Sequence, residues 1–151
     1  MADGTTYRCA LEWSGSNRDY DRFSRNHRVV FDGKPPLEVT AAPEYKGDPS
    51  RLNPEELLVA ALASCQMLTY LGIASGSKVE VLSYRDEAVG FLEKTDGKMR
   101  VARVVLRPRI VITAASNRDR ALGLVAKAHD QCFISNSVNT TVTVEPELQV
   151  G

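Results

Sequence analysis

Cysteine is scarce in this chain. Cys9, Cys65 and Cys132 are the only three among 151 residues, too few for a disulfide scaffold. No charge of either sign dominates, because 19 Lys and Arg balance 19 Asp and Glu. That balance speaks against a general nucleic-acid binder, which needs a basic face. Long hydrophobic runs are missing too: the longest, Leu57 to Leu71, is broken by Ser64, Gln66 and Thr69 and reads as too short to cross a bilayer. The N-terminus, Met1-Ala2-Asp3-Gly4-Thr5-Thr6, has neither a basic nor an apolar segment, so no secretory signal is expected. These absences leave a cytoplasmic protein, with neither nucleic acid nor membrane among its expected partners. With no repeat or linker, the length suits one domain over 1–151.

What is present divides by periodicity. Tyr7, Cys9, Leu11 and Trp13 alternate, as in a half-buried strand with Cys9 facing a core. Ser14-Gly15-Ser16-Asn17 is a turn, and Arg18 to Arg28 a loop. His27–Phe31 and Leu37–Ala41 read as strands joined by the Asp32-Gly33 hairpin signal, with a proline-rich loop to Leu52. At Asn53 a helix opens. Asn is a favoured N-cap, Pro54 suits the first helical position, and Glu56 completes an Asn-x-x-Glu capping box. Its body is apolar on nearly all sides and is expected to be buried, ending at Gly72 or, more fittingly, Gly76. Lys78–Leu92 and Lys98–Thr113 are long β-type stretches around a second hairpin signal, Thr95-Asp96-Gly97. Ser116 or Asn117 caps a second helix to about Asp130, and Val138–Val150 alternates as a last strand. The order βββ-α-ββ-α-β predicts an α+β fold of antiparallel sheets around a buried central helix.

Two cysteines invite chemistry. Cys65 lies inside the apolar helix and Cys132 just after the second helix, in a break where solvent access is expected; each taken alone reads as structural. Taken together they offer one thiolate to attack and a second thiol to resolve it. A thiol in mid-helix gains nothing from the helix dipole, so it needs a nearby cation; Arg18, Arg22, Arg25 and Arg28 are the candidates. His129-x-x-Cys132 with Cys65 has ligand-like spacing, but it offers only three ligands and no Cys-x-x-Cys pair, so a metal site is the lesser rival reading. His129 reads as a helix-end residue.

Asn53-Pro54-Glu55-Glu56-Leu57-Leu58-Val59-Ala60-Ala61-Leu62-Ala63-Ser64-Cys65, followed 67 positions later by Cys132-Phe133-Ile134-Ser135-Asn136-Ser137, resembles the OsmC-like family, which includes the organic hydroperoxide resistance proteins. The resemblance implies an intertwined homodimer with sites at the subunit interface. It also implies a peroxidase that uses Cys65 as reactive cysteine, Cys132 as its disulfide partner, Glu55 as the motif glutamate and Arg25 as the activating arginine. Arg18 is a rival for that last role, because the loop departs from the Gly-Gly-Arg pattern of the hydroperoxide branch. In this scheme Glu55 anchors Arg25, an external thiol resets the disulfide, and no cofactor or metal is required. Ten residues separate Glu55 from Cys65, about 15 Å of rise and roughly 280° of rotation. The glutamate serving one site is therefore expected from a bent helix or from the partner subunit. Met67, Leu68, Phe23 and Phe133 are candidates to receive a peroxide's alkyl part, although ordinary core is the preferred reading for them. The competing function is a non-catalytic redox sensor or small-molecule binder on the same fold.

Overall fold

A computed structural model describes residues 4–151; the first three residues of the N-terminal stretch read for a secretory signal lie outside the described residues. Contacts fall into two compact units, Met1–Leu57 and Leu58–Gly151.

The first unit holds a small antiparallel sheet in the order β1 (Ala10–Glu12), β2 (His27–Val30) and β3 (Leu37–Val39). Asp32-Gly33 makes the expected turn: the Lys34 N–H donates to the Phe31 carbonyl at 3.2 Å, and Gly33 takes φ +70°, open to glycine without steric cost. β1 is shorter than the alternation implied, and all its residues are exposed. Cys9 is exposed as well, which overturns its core reading. The strand has a single neighbour, β2, so alternation marked no buried face. After β3 the chain passes so close to itself at Gly47 that a Cβ there would sit 1.5 Å from the Ala41 carbonyl oxygen; only glycine fits.

Helix α1 (Pro54–Gly76) begins as its sequence dictates. Asn53 Oδ1 accepts the Glu56 N–H at 2.9 Å, and Glu56 Oε1 accepts the Asn53 N–H at 3.3 Å. This reciprocal box satisfies two otherwise unpaired donors. Asn53→Ala is expected to cost about 1 kcal/mol, a drop of about 2–4 °C in Tm for a chain of this size. Thermal unfolding followed by circular dichroism checks it, and an unchanged Tm would deny the box its role. The far end closes with Lys78 at φ +59° and the Val79 N–H on the Ala74 carbonyl at 2.9 Å, a Schellman-type closure in which a lysine takes the left-handed place usual for glycine.

In the second unit three strand runs cross from one sheet to another. β4 (Val81–Asp86), β7 (Pro108–Ile112) and β9 (Glu147–Val150) form one sheet; β5 (Val89–Thr95), β6 (Lys98–Leu106) and β8 (Thr141–Val144) form the other. Each long β-type stretch expected from the sequence is thus two strands, and the order is βββ-α-ββββ-α-ββ. Proline explains two of the breaks. Pro108 and Pro146 lack the N–H that a continuing ladder requires. At the first break the Arg107 N–H instead donates to Asp86 Oδ1 at 2.7 Å. The β5–β6 hairpin closes on Asp96 and Gly97, both with positive φ, 51° and 78°, as a two-residue type I′ turn requires. α2 (Arg118–Gln131) is capped by Asn117, whose side chain accepts the Arg120 N–H at 2.9 Å. Because α2 is a crossover, β8 joins β6 and β9 joins β7 in parallel. The α+β class stands, but these two sheets are mixed rather than wholly antiparallel.

α1 spans both sheets. Leu62 packs with Val104, Leu106 and Val142, from β6 and β8. Tyr70 and Ala74 pack with Ile110, Leu148 and the α2 residues Ala121, Val125 and Ala128. Two polar bonds tie the helices: Gln66 Nε2 donates to the Val125 carbonyl at 3.2 Å, and the Tyr70 hydroxyl donates to that of Ala121 at 2.9 Å. Only the stripe Leu62, Gln66, Tyr70, Ala74 is buried. The expectation of an all-round buried helix fails for the isolated chain, since the sheets and α2 cover a single face. The 23-residue α1, with mean hydropathy 1.8 over its apolar window, is also long and apolar enough to cross a membrane by length and composition, contrary to the reading of the interrupted Leu57–Leu71 stretch.

Candidate active site

Cys65 lies at the midpoint of α1, beside the buried Gln66 and between the halves of the helix that pack on different sheets. Cys132 is the C-cap of α2. Its N–H donates to the His129 carbonyl at 3.3 Å, and its extended backbone (φ −67°, ψ 117°) ends the helix. The break after α2 is solvent-accessible at Phe133, Asn136 and Ser137, but Cys132 itself is 1% exposed: the extended cap turns its side chain inward, toward Cys65. All three cysteines are free thiols, and Cys65 and Cys132 lie near enough for each to shift the other's acidity.

The two thiols have opposite acidities. Burial works against ionisation of Cys65. It is outweighed by the Ile134 N–H, the Cys132 thiol and the Phe133 N–H, all directed at the sulfur, and the net effect holds Cys65 below the ordinary cysteine value. Thr69, four residues on along the same helix face, also approaches, with its oxygen 4.0 Å from the sulfur. Its single proton, however, goes to the Cys65 carbonyl at 2.8 Å, so the main donors are the two amides and the neighbouring thiol. Cys132 is pushed up, by burial first and then by donating to Cys65. Cys65 is thus the easier of the two thiols to ionise and Cys132 the harder. The turn after Cys132 supplies the amides: Ser135–Ser137 form one 3-10 turn, and Asn136 Nδ2 donates to the Asp130 carbonyl at 2.9 Å, closing the end of α2. These backbone donors escaped sequence reading because no side chain advertises them; Thr69 was legible as the i+4 neighbour of Cys65.

Arg25 belongs to the first unit. Its Nη1 and Nη2 each donate at 2.7 Å, to the carbonyls of Phe23 and Tyr20, and its guanidinium lies 3.5 Å from the Phe23 ring centre. Trp13 braces the same loop, donating to the Ser24 carbonyl at 2.8 Å and meeting Phe23 edge-on. The loop's backbone therefore holds this guanidinium, and the expected Arg25–Glu55 pair is not among the ion pairs of the described residues. Glu55 keeps Oε2 buried with no hydrogen-bond partner. A cavity of about 430 Å³ opens beside Arg25, walled by Leu11, Trp13, Phe23, Ala41 and Pro54 with Asn17 and His27 as further polar groups. Arg18 is exposed and does not line it. Of the apolar candidates, Leu68 is 61% and Phe133 82% exposed, so neither is ordinary core; Met67 and Phe23 are half-buried.

Among the described residues, no three His, Cys, Asp or Glu side chains converge as metal ligands. His129 is half-buried in the last turn of α2, with Nδ1 unpartnered.

The sequence model of the family described as OsmC-like protein matches residues 47–147. The uncharacterized protein YmaD of Bacillus subtilis is 27% identical over 99% of this chain and 97% of its own length. Among solved structures, an OsmC-like protein of Vibrio cholerae superposes with a TM-score of 0.86 at 35% identity, covering 95% of this chain and 99% of that one. The organic hydroperoxide resistance protein OsmC of Legionella pneumophila gives a TM-score of 0.67 at 25% identity, covering 97% and 100%. These matches span the Asn-Pro-Glu helix start, both site cysteines and the crossover helix between them, and the chain belongs to the OsmC-like family.

Proposed function

We propose that this protein is a two-cysteine, thiol-dependent peroxidase that reduces organic hydroperoxides, hydrogen peroxide or both. The observation that carries the reading is the pair of neighbouring sulfurs with acidities displaced in opposite directions. The Cys65 thiolate attacks one peroxide oxygen. The O–O bond breaks, the sulfur becomes a sulfenic acid, and the departing alkoxide takes up a proton to leave as alcohol, or as water when the substrate is hydrogen peroxide. The Cys132 thiol then displaces hydroxide from the sulfenic acid, forming the Cys65–Cys132 disulfide and water. Two equivalents of an external thiol restore both cysteines.

The roles that the resemblance gives Arg25 and Glu55, stabilising the thiolate and its leaving oxygen and anchoring the guanidinium, belong to this proposal. In favour of Arg25 over Arg18 stands its charge without a carboxylate partner at the wall of an apolar cavity, a setting that suits an organic hydroperoxide. A homodimer also belongs to the proposal, with Glu55 serving the partner subunit's site; exposed Leu68 on α1 supports it. The protein is taken to act in the cytoplasm.

Mass spectrometry after one equivalent of cumene hydroperoxide tests the reading. A Cys65–Cys132 disulfide in most molecules is expected, followed by repeated turnover when thiol is supplied. A single slow oxidation without turnover would instead make the protein a redox sensor.

A further inference from the structure

Three consecutive carbonyls follow α2. That of Cys132 accepts the Asn136 N–H at 3.0 Å, and that of Ile134 accepts the Ser137 N–H at 3.0 Å. The carbonyl between them, on Phe133, is held by a side chain: the Ser137 hydroxyl donates to it at 2.7 Å. The Phe133 carbonyl and the Ile134 N–H belong to one planar trans peptide, in which they point in opposite directions. A group that fixes the carbonyl therefore aims the N–H, and this N–H, from a residue whose side chain packs on the Leu62 cluster of α1, is one of the two amides directed at Cys65. Ile134 has helical dihedrals, φ −70° and ψ −40°, so its peptide is free to rock about soft torsions unless something holds it.

We propose that Ser137 is a positioning residue for Cys65: its hydroxyl anchors the Phe133 carbonyl and so keeps the Ile134 N–H of the same peptide on the Cys65 sulfur. Ser137 acts at a distance, through one rigid peptide, on the charge of a thiol it does not bond. Polarisation adds to orientation, because a carbonyl that accepts a hydrogen bond makes its own amide N–H a better donor. The inference deepens the peroxidase reading of this site, but its test needs no peroxide.

The test follows the pH dependence of Cys65 alkylation by iodoacetamide, read by peptide mass spectrometry in full-length protein carrying Cys9→Ser to remove the exposed thiol. With Ser137→Ala the alkylation midpoint is expected to rise by about half to one pH unit; Ser137→Thr, which keeps the hydroxyl, is expected to restore it. A midpoint unmoved in Ser137→Ala overturns the proposal, and so does a shift that Ser137→Thr fails to reverse. In the protein with Ser137 intact, the Ile134 amide resonance must follow the titration of Cys65, and a flat response there overturns the proposal whether or not the substitutions are tolerated. If the midpoint moves as expected while the protein consumes no peroxide, the positioning role stands and the peroxidase reading falls.

Discussion

Cys65→Ser is expected to reduce peroxide consumption to the uncatalysed rate, a loss of at least about four orders of magnitude. A serine hydroxyl placed among the same amides is not ionised near neutrality, and oxygen does not form the sulfenic acid on which the cycle depends. Stopped-flow mixing with cumene hydroperoxide measures the loss, and full activity in this variant would remove Cys65 from the chemistry. The unaltered protein carries a second signature. Only the thiolate attacks, so the rate constant rises with pH as Cys65 loses its proton and levels off once it is ionised. Because the Ile134 and Phe133 amides and the Cys132 thiol hold Cys65 below the ordinary cysteine value, the plateau is expected at lower pH than for a free cysteine. A midpoint at or above that of free cysteine would mean that these donors do not act on the sulfur.

Cys132→Ser is expected to separate attack from turnover. The first equivalent of peroxide is still consumed, since Cys65 and its two amide donors remain, but the sulfenic acid has no adjacent thiol. Resolution then waits on a thiol from solution, and losing an intramolecular partner slows this step by about a hundredfold or more. The expected trace is a burst of one equivalent followed by a stall, with the sulfenic acid trappable by dimedone. The burst itself should keep its rate near neutrality, because the serine hydroxyl, a stronger donor than a thiol, takes over the donation of Cys132 to Cys65. Steady turnover at the unaltered rate would show that Cys132 resolves nothing.

The parts of this architecture legible in the chain are those set by local chemistry. Asn53 and Glu56 announced their reciprocal cap, Asn117 its helix, and Asp32-Gly33 and Asp96-Gly97 their turns, because each depends on neighbours within a few residues. Sheet switching was not legible from β-type periodicity, which continues unbroken when a strand bends into another sheet. Pro108 and Pro146 marked two of these breaks, but nothing comparable marks Glu87-Ala88. Exposure was misjudged in both directions: Cys9 alternates with apolar residues but lies just before an edge strand with one neighbour, whereas Cys132 follows a helix yet is turned inward by its own extended cap. The pairing of Cys65 with Cys132 was suggested by what two thiols can do together and made specific by the resemblance, not by any spacing. The donors around Cys65 are main-chain groups, and their placement depends on how the last turn of α2 is closed.

Cys132 and its turn sit inside the crossover that leads through α2 from β7 to β8, and the parallel pairing of β8 begins with Thr141 against Arg103. Contacts so far apart along the chain form late, after the loop between them has closed. A nascent chain emerging from the ribosome thus carries an ordinary thiol at Cys65 through most of its synthesis. On the proposed function, its sulfur acquires enhanced reactivity only when the C-terminal third docks, so oxidant sensitivity of Cys65 would report completion of folding.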